Sequence, residues 1–183
     1  PAMNNPDEGA TTGPRVYQIP EGDDRERLLC PDCGFIAYEN PRIVVGVVAR
    51  AEDERILLCR RAIPPRIGYW TLPAGYMELN ETAEDGALRE AWEEARARLR
   101  LNGLLAVYSL AGIHQVQLIY RAILTDPAVS AGPESQSVGL FHYDELPWDE
   151  LAFPTVEWAL QQDHQAHLEG HGKAFANPVS ATR

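Results

Sequence analysis

Glu90, Glu93 and Glu94 stand three and four positions apart in the run LPAGYMELNETAEDGALREAWEEARA at residues 72–97, with Arg89 beside them and Gly75 ahead. On a helix, at about 100° per residue, that spacing gathers the three carboxylates on one arc. Like charges so placed repel one another and weaken the helix, a local cost that bound cations remove. The chemistry implied is that of hard oxygen ligands for divalent metal.

Such a cradle needs a helix with a defined start and a flat surface behind it. Thr82 followed by Asp85 makes a capping-box pattern, and Glu81, Glu84 and Asp85 put negative charge at the positive end of the helix dipole. Ala83, Ala87, Leu88, Ala91 and Ala95 form a second stripe, small enough for close approach to a sheet. Residues 43–48 are β-branched and almost continuous, the pattern of a central strand buried on both faces, and residues 55–61 read as its hairpin partner. A short strand at residues 70–73 delivers the chain to the Gly75 turn. Residues 105–110 and 116–124 read as a second hairpin, residues 139–143 as another strand, and residue 155 to about residue 165 as a final amphipathic helix. The pattern predicts an α/β (α+β) fold, a mixed sheet flanked by helices. It divides as an N-terminal arm and ribbon-like segment at 1–40, a main domain at 41–165, and a loose tail at 166–183.

Composition bounds the partners. A net charge of −11 opposes nonspecific binding to phosphate backbones, so nucleic acid is not expected, although metal ions can bridge an acidic protein to a small phosphate ester. The longest apolar run, residues 43–49, is too short to cross a bilayer, and no membrane association is expected. With three cysteines and no signal-like start, a reducing, cytoplasmic compartment is expected. Cys30-Pro-Asp-Cys33-Gly34 is a knuckle of the kind that presents two thiolates to Zn2+, but such a site needs four ligands. A zinc site and a degenerate or truncated ribbon are therefore both open readings. Cys59 reads as core, and the downstream histidines His164, His167 and His171 as surface. Trp70, Tyr76, Tyr69 and Phe153, together with Arg60, are candidates for contact with a flat substrate ring, with packing as the competing reading for each aromatic.

Gly75, five residues, Glu81, seven residues, Arg89-Glu90, Ala91, one residue and Glu93-Glu94 resemble the Nudix box, G-x5-E-x7-R-E-U-x-E-E-x-G-U with U aliphatic. Residues 70–75, reading WTLPAG, resemble that family's approach strand. One position departs: Arg96 stands where the box has Gly, a residue that ends the helix, so the departure bears on the helix terminus more than on chemistry. The N-terminal CPDCG segment, residues 132–135 and the run DELPWDELAFPTV also look like the plant-chloroplast-type FAD and ADP-ribose pyrophosphatase subgroup, in which a zinc ribbon precedes the domain.

The resemblance implies a Nudix fold and metal-dependent hydrolysis of a pyrophosphate bond in FAD, ADP-ribose or a similar nucleotide, releasing AMP. It implies two or three Mg2+ or Mn2+ ions held by Glu90, Glu93, Glu94 and the carbonyl of Ala74. Arg89 is then a brace, Glu81 a support, and Glu134 a loop-borne ligand or general base, with a box Glu as the alternative base. A homodimer is implied as well. An NADH pyrophosphatase is disfavoured, because residues 97–115 lack the Ser-Gln-Pro-Trp-Pro-Phe-Pro segment of that group, and a noncatalytic sensor is disfavoured because every box acid is present.

Overall fold

The computed structural model describes residues 12–170 and 172–179. The chain divides into two compact units, Pro1–Asn40 and Pro41–Arg183.

In the first unit, β1 (Val16–Gln18), β2 (Arg27–Leu29) and β3 (Ile36–Ala37) form an antiparallel sheet in that order. The N-terminal arm thus contains a strand, because Val16 pairs with Leu29 and Gln18 with Arg27; its first eleven positions lie outside the described residues. The Cys30–Cys33 knuckle closes as Gly34 N–H donates to the Cys30 carbonyl (2.9 Å), with Gly34 at φ +74°, a left-handed conformation that glycine adopts without strain.

The second unit is built on β4 (Arg42–Arg50), β5 (Ile56–Arg61), β6 (Trp70–Thr71), β7 (Ala74–Tyr76), α1 (Ala83–Ala95), β8 (Leu99–Leu110), β9 (Gln115–Leu124), β10 (Ser135–Phe141) and α2 (Pro154–Glu169). The sheet runs β10-β5-β4-β9-β8, with β6 on β5 and β7 on β4. β4 is central, as its apolar run requires, and is parallel to β9. The expected β4–β5 hairpin forms but splays: the two strands share only the Arg50–Ile56 pair, after which β4 takes up β7 through Val44–Tyr76, Val45–Gly75 and Gly46–Ala74. That fork brings the Gly75 turn beside α1.

Strand alternation sorts the core into two layers. Val45, Val47, Leu57 and Cys59 face Ala87, Ala91 and Ala95 of α1, while Val48, Ile56, Leu58, Leu105 and Tyr108 face Val156, Ala159 and Leu160 of α2. The mixed sheet is therefore sandwiched between helices. Cys59 is core, its thiol kept protonated by burial. His164 stacks on Tyr143 (3.7 Å between ring centroids), and no helix among the described residues is long and apolar enough to cross a membrane.

Two element ends differ from expectation. β10 begins at Ser135, whose partner is Arg61, so the strand starts directly at the end of the Glu134 loop. The chain past residue 165, expected to be loose, continues α2 to Glu169 and then returns to β8: Phe175 N–H donates to Leu105 O (2.7 Å) and Val107 N–H to Phe175 O (3.0 Å). β8 is the last strand of the sheet, and its unpaired backbone groups are what the returning chain satisfies.

Candidate active site

Thr82 caps α1 as its spacing predicts, accepting from the Asp85 N–H at 3.1 Å, so the register of the acid face is set from the first turn. At the other end Arg96 occupies the left-handed region (φ 50°, ψ 27°). Its N–H donates to Trp92 O (2.9 Å), the bond of an αL helix cap, and the Ala97 N–H donates to Ala91 O (3.2 Å). The helix ends where the box glycine would end it, with a non-glycine residue accepting a cost of about 1 kcal/mol for that conformation.

Within the helix the acids separate by environment. Glu94 is buried, its Oε2 accepting the Ala74 N–H at 3.1 Å; burial, reinforced by negative Glu90 and Glu134, pushes its carboxyl up to about 7. Glu90 is also buried and raised, by desolvation first, against the opposing pull of Arg89. Its carboxylate lies on the Gly75 backbone, in space that a Cβ at Gly75 would fill, so the turn and the acid are complementary in shape. Glu93 is exposed and meets Arg89 at 3.1 Å, the i,i+4 pairing read from the sequence.

Arg89 holds this group together. Nε donates to Glu81 Oε2 (3.0 Å), Nη1 to Glu90 Oε1 (2.7 Å) and Glu93 Oε2 (3.1 Å), and Nη2 to Glu81 Oε1 (2.8 Å) and Tyr76 O (3.0 Å). All five guanidinium donors are engaged. Glu81 also accepts the Glu78 N–H at 2.6 Å, and these bonds, Arg89 first, hold its carboxyl down at about 2.

Glu134 arrives from the loop before β10. That loop is clamped to the end of α1, Gly132 N–H donating to Glu94 O (2.9 Å) and Ser130 N–H to Ala95 O (3.0 Å), and to β5 through Ala62 N–H on Glu134 O (2.8 Å). Any Cβ at Gly132 would overlap the Glu93 carbonyl, which is why glycine stands there. Glu134 itself is exposed, and its charge acts on both Glu90 and Glu94.

These groups line a cavity of about 1400 Å³. Ala74, Tyr76, Glu90, Glu93, Glu94 and Glu134 are all on its wall, together with Phe153. Tyr76 is held by the Gln115 amide on its hydroxyl (3.0 Å) and by Arg42 over its ring (5.2 Å). The rest of the wall was not legible in the sequence: Leu110, Ile113, Val156 and Trp158 are its apolar members, with Gln115, Gln117 and Asn177 as neutral polar groups. Asn177 is fixed by a reciprocal pair of bonds with the Ser109 backbone, 2.8 and 2.9 Å.

Trp70 and Arg60 depart from expectation, because neither lines the cavity. Trp70 meets Phe141 edge-on at 5.1 Å, and Arg60 lies over the Trp70 ring at 5.8 Å while bonding Gly68 O. The strand period explains the miss: Leu57 and Cys59 face α1, so Arg61 and not Arg60 continues on that side, and Arg61 is the one in the cavity. Tyr69 packs under Arg66 at 5.0 Å instead.

The donor set of carboxylates and a backbone carbonyl is the hard oxygen set that suits Mg2+ or Mn2+. Among the described residues no three His, Cys, Asp or Glu side chains are already gathered as a metal cluster, since Arg89 draws Glu90 and Glu93 toward itself. The described residues do not fit the Zn2+ expected as one reading of Cys30 and Cys33. Cys30 is buried and Cys33 exposed, and the Arg15 guanidinium stands beside them, bonded to Asp32 at 2.6 and 2.8 Å, a cation where further ligands would be needed.

A family model described as the NUDIX domain matches residues 40–160, and a zinc-ribbon model described as Nudix N-terminal matches residues 12–39. A crystal structure of a NUDIX hydrolase from Nitrosomonas europaea is 43% identical, with a TM-score of 0.83 over 88% of this chain and 92% of that one. A MutT-like protein of Streptomyces ambofaciens is 39% identical over 103 residues, 56% of this chain and 64% of its own length. An ADP-ribose pyrophosphatase of Methanocaldococcus jannaschii is 30% identical over 121 residues, 63% of this chain and 69% of its own length. With the box acids on and just ahead of α1, the mixed sheet between two helices and a domain match over most of its length, this chain belongs to the Nudix hydrolase family.

Proposed function

We propose that the cavity hydrolyses the pyrophosphate bond of a nucleoside diphosphate derivative of the ADP-ribose or FAD type, releasing AMP. The observation that carries this reading is the convergence of Glu90, Glu93, Glu94 and Glu134 on one cavity whose wall also holds apolar and neutral polar side chains. The acids suit a diphosphate with its cations, and Phe153, Trp158 and three side-chain amides on the same wall suit a base and ribose.

Mg2+ or Mn2+ held by Glu90, Glu93, Glu94 and the Ala74 carbonyl would neutralise the diphosphate and acidify a water near phosphorus. The remaining work falls to the chain. Ala74 N–H fixes one Glu94 oxygen, and Gly75 leaves room for Glu90. Arg89 and Glu81 keep the acid face in one arrangement while no cation is bound. Glu134 brings a carboxylate from an exposed loop to the same cavity, as ligand or as general base.

The test is release of AMP from ADP-ribose, FAD, NADH and a cap analogue with Mg2+ or Mn2+. Turnover of ADP-ribose or FAD above NADH is the expected result. If no compound is cut and Glu94→Gln alters nothing, the hydrolase reading fails.

A further inference from the structure

Three arginines line the cavity: Arg61, Arg89 and Arg96. Arg89 has every donor engaged by Glu81, Glu90, Glu93 and the Tyr76 carbonyl. Arg61 gives Nε to Pro65 O and Nη2 to Ile63 O and Pro64 O, which leaves Nη1. Arg96 makes one side-chain hydrogen bond among the described residues, Nη1 to Trp92 O at 3.3 Å, so its Nε and Nη2 remain unengaged. Of the three, it has the most donors to offer a ligand.

Its position is also prepared. The guanidinium lies 5.6 Å over the exposed Trp92 indole, which Arg98 also approaches at 5.7 Å, so a long side chain is braced at the cavity rim. The backbone beneath it is the left-handed cap, where glycine would sit without strain and arginine does not. An incoming diphosphate meets Glu90, Glu93, Glu94 and Glu134, and the charge of Arg89 is already matched by its own acids. Arg61 supplies the other positive charge, acting on Glu94 with Nη1 left to donate, and Arg96 adds a second guanidinium able to meet a diphosphate.

We propose that Arg96 is a specificity-determining residue whose guanidinium binds a phosphate oxygen of the substrate, giving the site a preference for phosphate-rich or doubly charged ligands. The proposal rests on the reading of the cavity as a pyrophosphate-hydrolysing site. Its test compares the full chain with Arg96→Gly and Arg96→Lys. Loss of the charge-assisted bond should weaken binding of inorganic pyrophosphate with Mg2+, read by calorimetry, and raise KM for ADP-ribose, each about tenfold. kcat should stay within about threefold, since the interaction is equal in ground and transition states. Arg96→Gly should keep or raise Tm, and Arg96→Lys should recover part of the affinity.

A purely capping role predicts the same Tm behaviour with no change in pyrophosphate affinity or KM, and that result overturns the proposal. Should Arg96→Gly unfold, Arg96→Asn, which tolerates the left-handed conformation, replaces it in the same measurements. If the unaltered chain cuts no diphosphate derivative, the hydrolase reading fails by itself, and pyrophosphate binding still decides whether Arg96 holds phosphate.

Discussion

Glu94 and Glu81 are both box acids, yet their surroundings separate them: one carboxyl is pushed up to about 7 by burial and the other held down at about 2 by Arg89. Glu94→Gln keeps the shape and the Ala74 contact but removes the charge, so it should cut kcat by about 100-fold or more, with circular dichroism and Tm showing an intact fold. For Glu81 the consequence is for stability. Its carboxyl lies below the ordinary value of 4.5, so the charged form stabilises the fold above that pH, and this contribution is lost as pH falls from 4.5 toward about 2. Glu81→Gln should therefore lower Tm at pH 7, with the two melting curves converging over that acid window. A gap that stayed constant with pH would assign the loss to packing instead.

At the scale of elements, the geometry depends on how α1 is ended and what is clamped to it. Thr82→Ala removes the cap bond at the start and should cost about 1 kcal/mol, seen as a fall of about 2–4 °C in Tm. Gly132→Ala drives a methyl into the Glu93 carbonyl, a backbone group that cannot swing aside. Overpacking of this kind costs about 1–3 kcal/mol, and because the loop also carries Glu134, kcat should fall with Tm; a loss of Tm alone would separate the loop from catalysis. The helix, its cap and its small-residue stripe were legible because they depend on neighbours three and four positions apart. The loop clamp was not, since it joins residues about forty positions apart through backbone bonds that leave little mark on side-chain types.

For the whole second unit, the returning C-terminal segment links sheet edge and cavity. Deleting the chain after residue 170 would free the backbone of β8 at Leu105 and Val107 and remove Asn177 from the wall. Tm should fall and KM should rise more than kcat falls, because the acid face of α1 is untouched; an unchanged KM would show that the segment only covers the edge. We also propose that the chain forms a homodimer, the state implied by its resemblance to the family. Light scattering should then give twice the 20.3 kDa chain mass, and a value at the monomer mass would overturn it.

The sequence by itself determined the acid face and its brace, because the residues involved are neighbours in and beside one helix and their types, carboxylates with one arginine at fixed spacing, are those that hold a divalent cation. It also determined the central strand, whose β-branched run has no polar face to expose. Tertiary structure decided the rest of the site. Arg61 rather than Arg60 reaches the cavity because strand period and sheet register choose the face, and Trp70 is taken up by Phe141 on a neighbouring strand. Asn177 joins the wall only because an unfinished sheet edge accepts the end of the chain. Each of these depends on which distant backbone groups satisfy one another, a matter of pairing across the fold that the identity of a single residue does not carry.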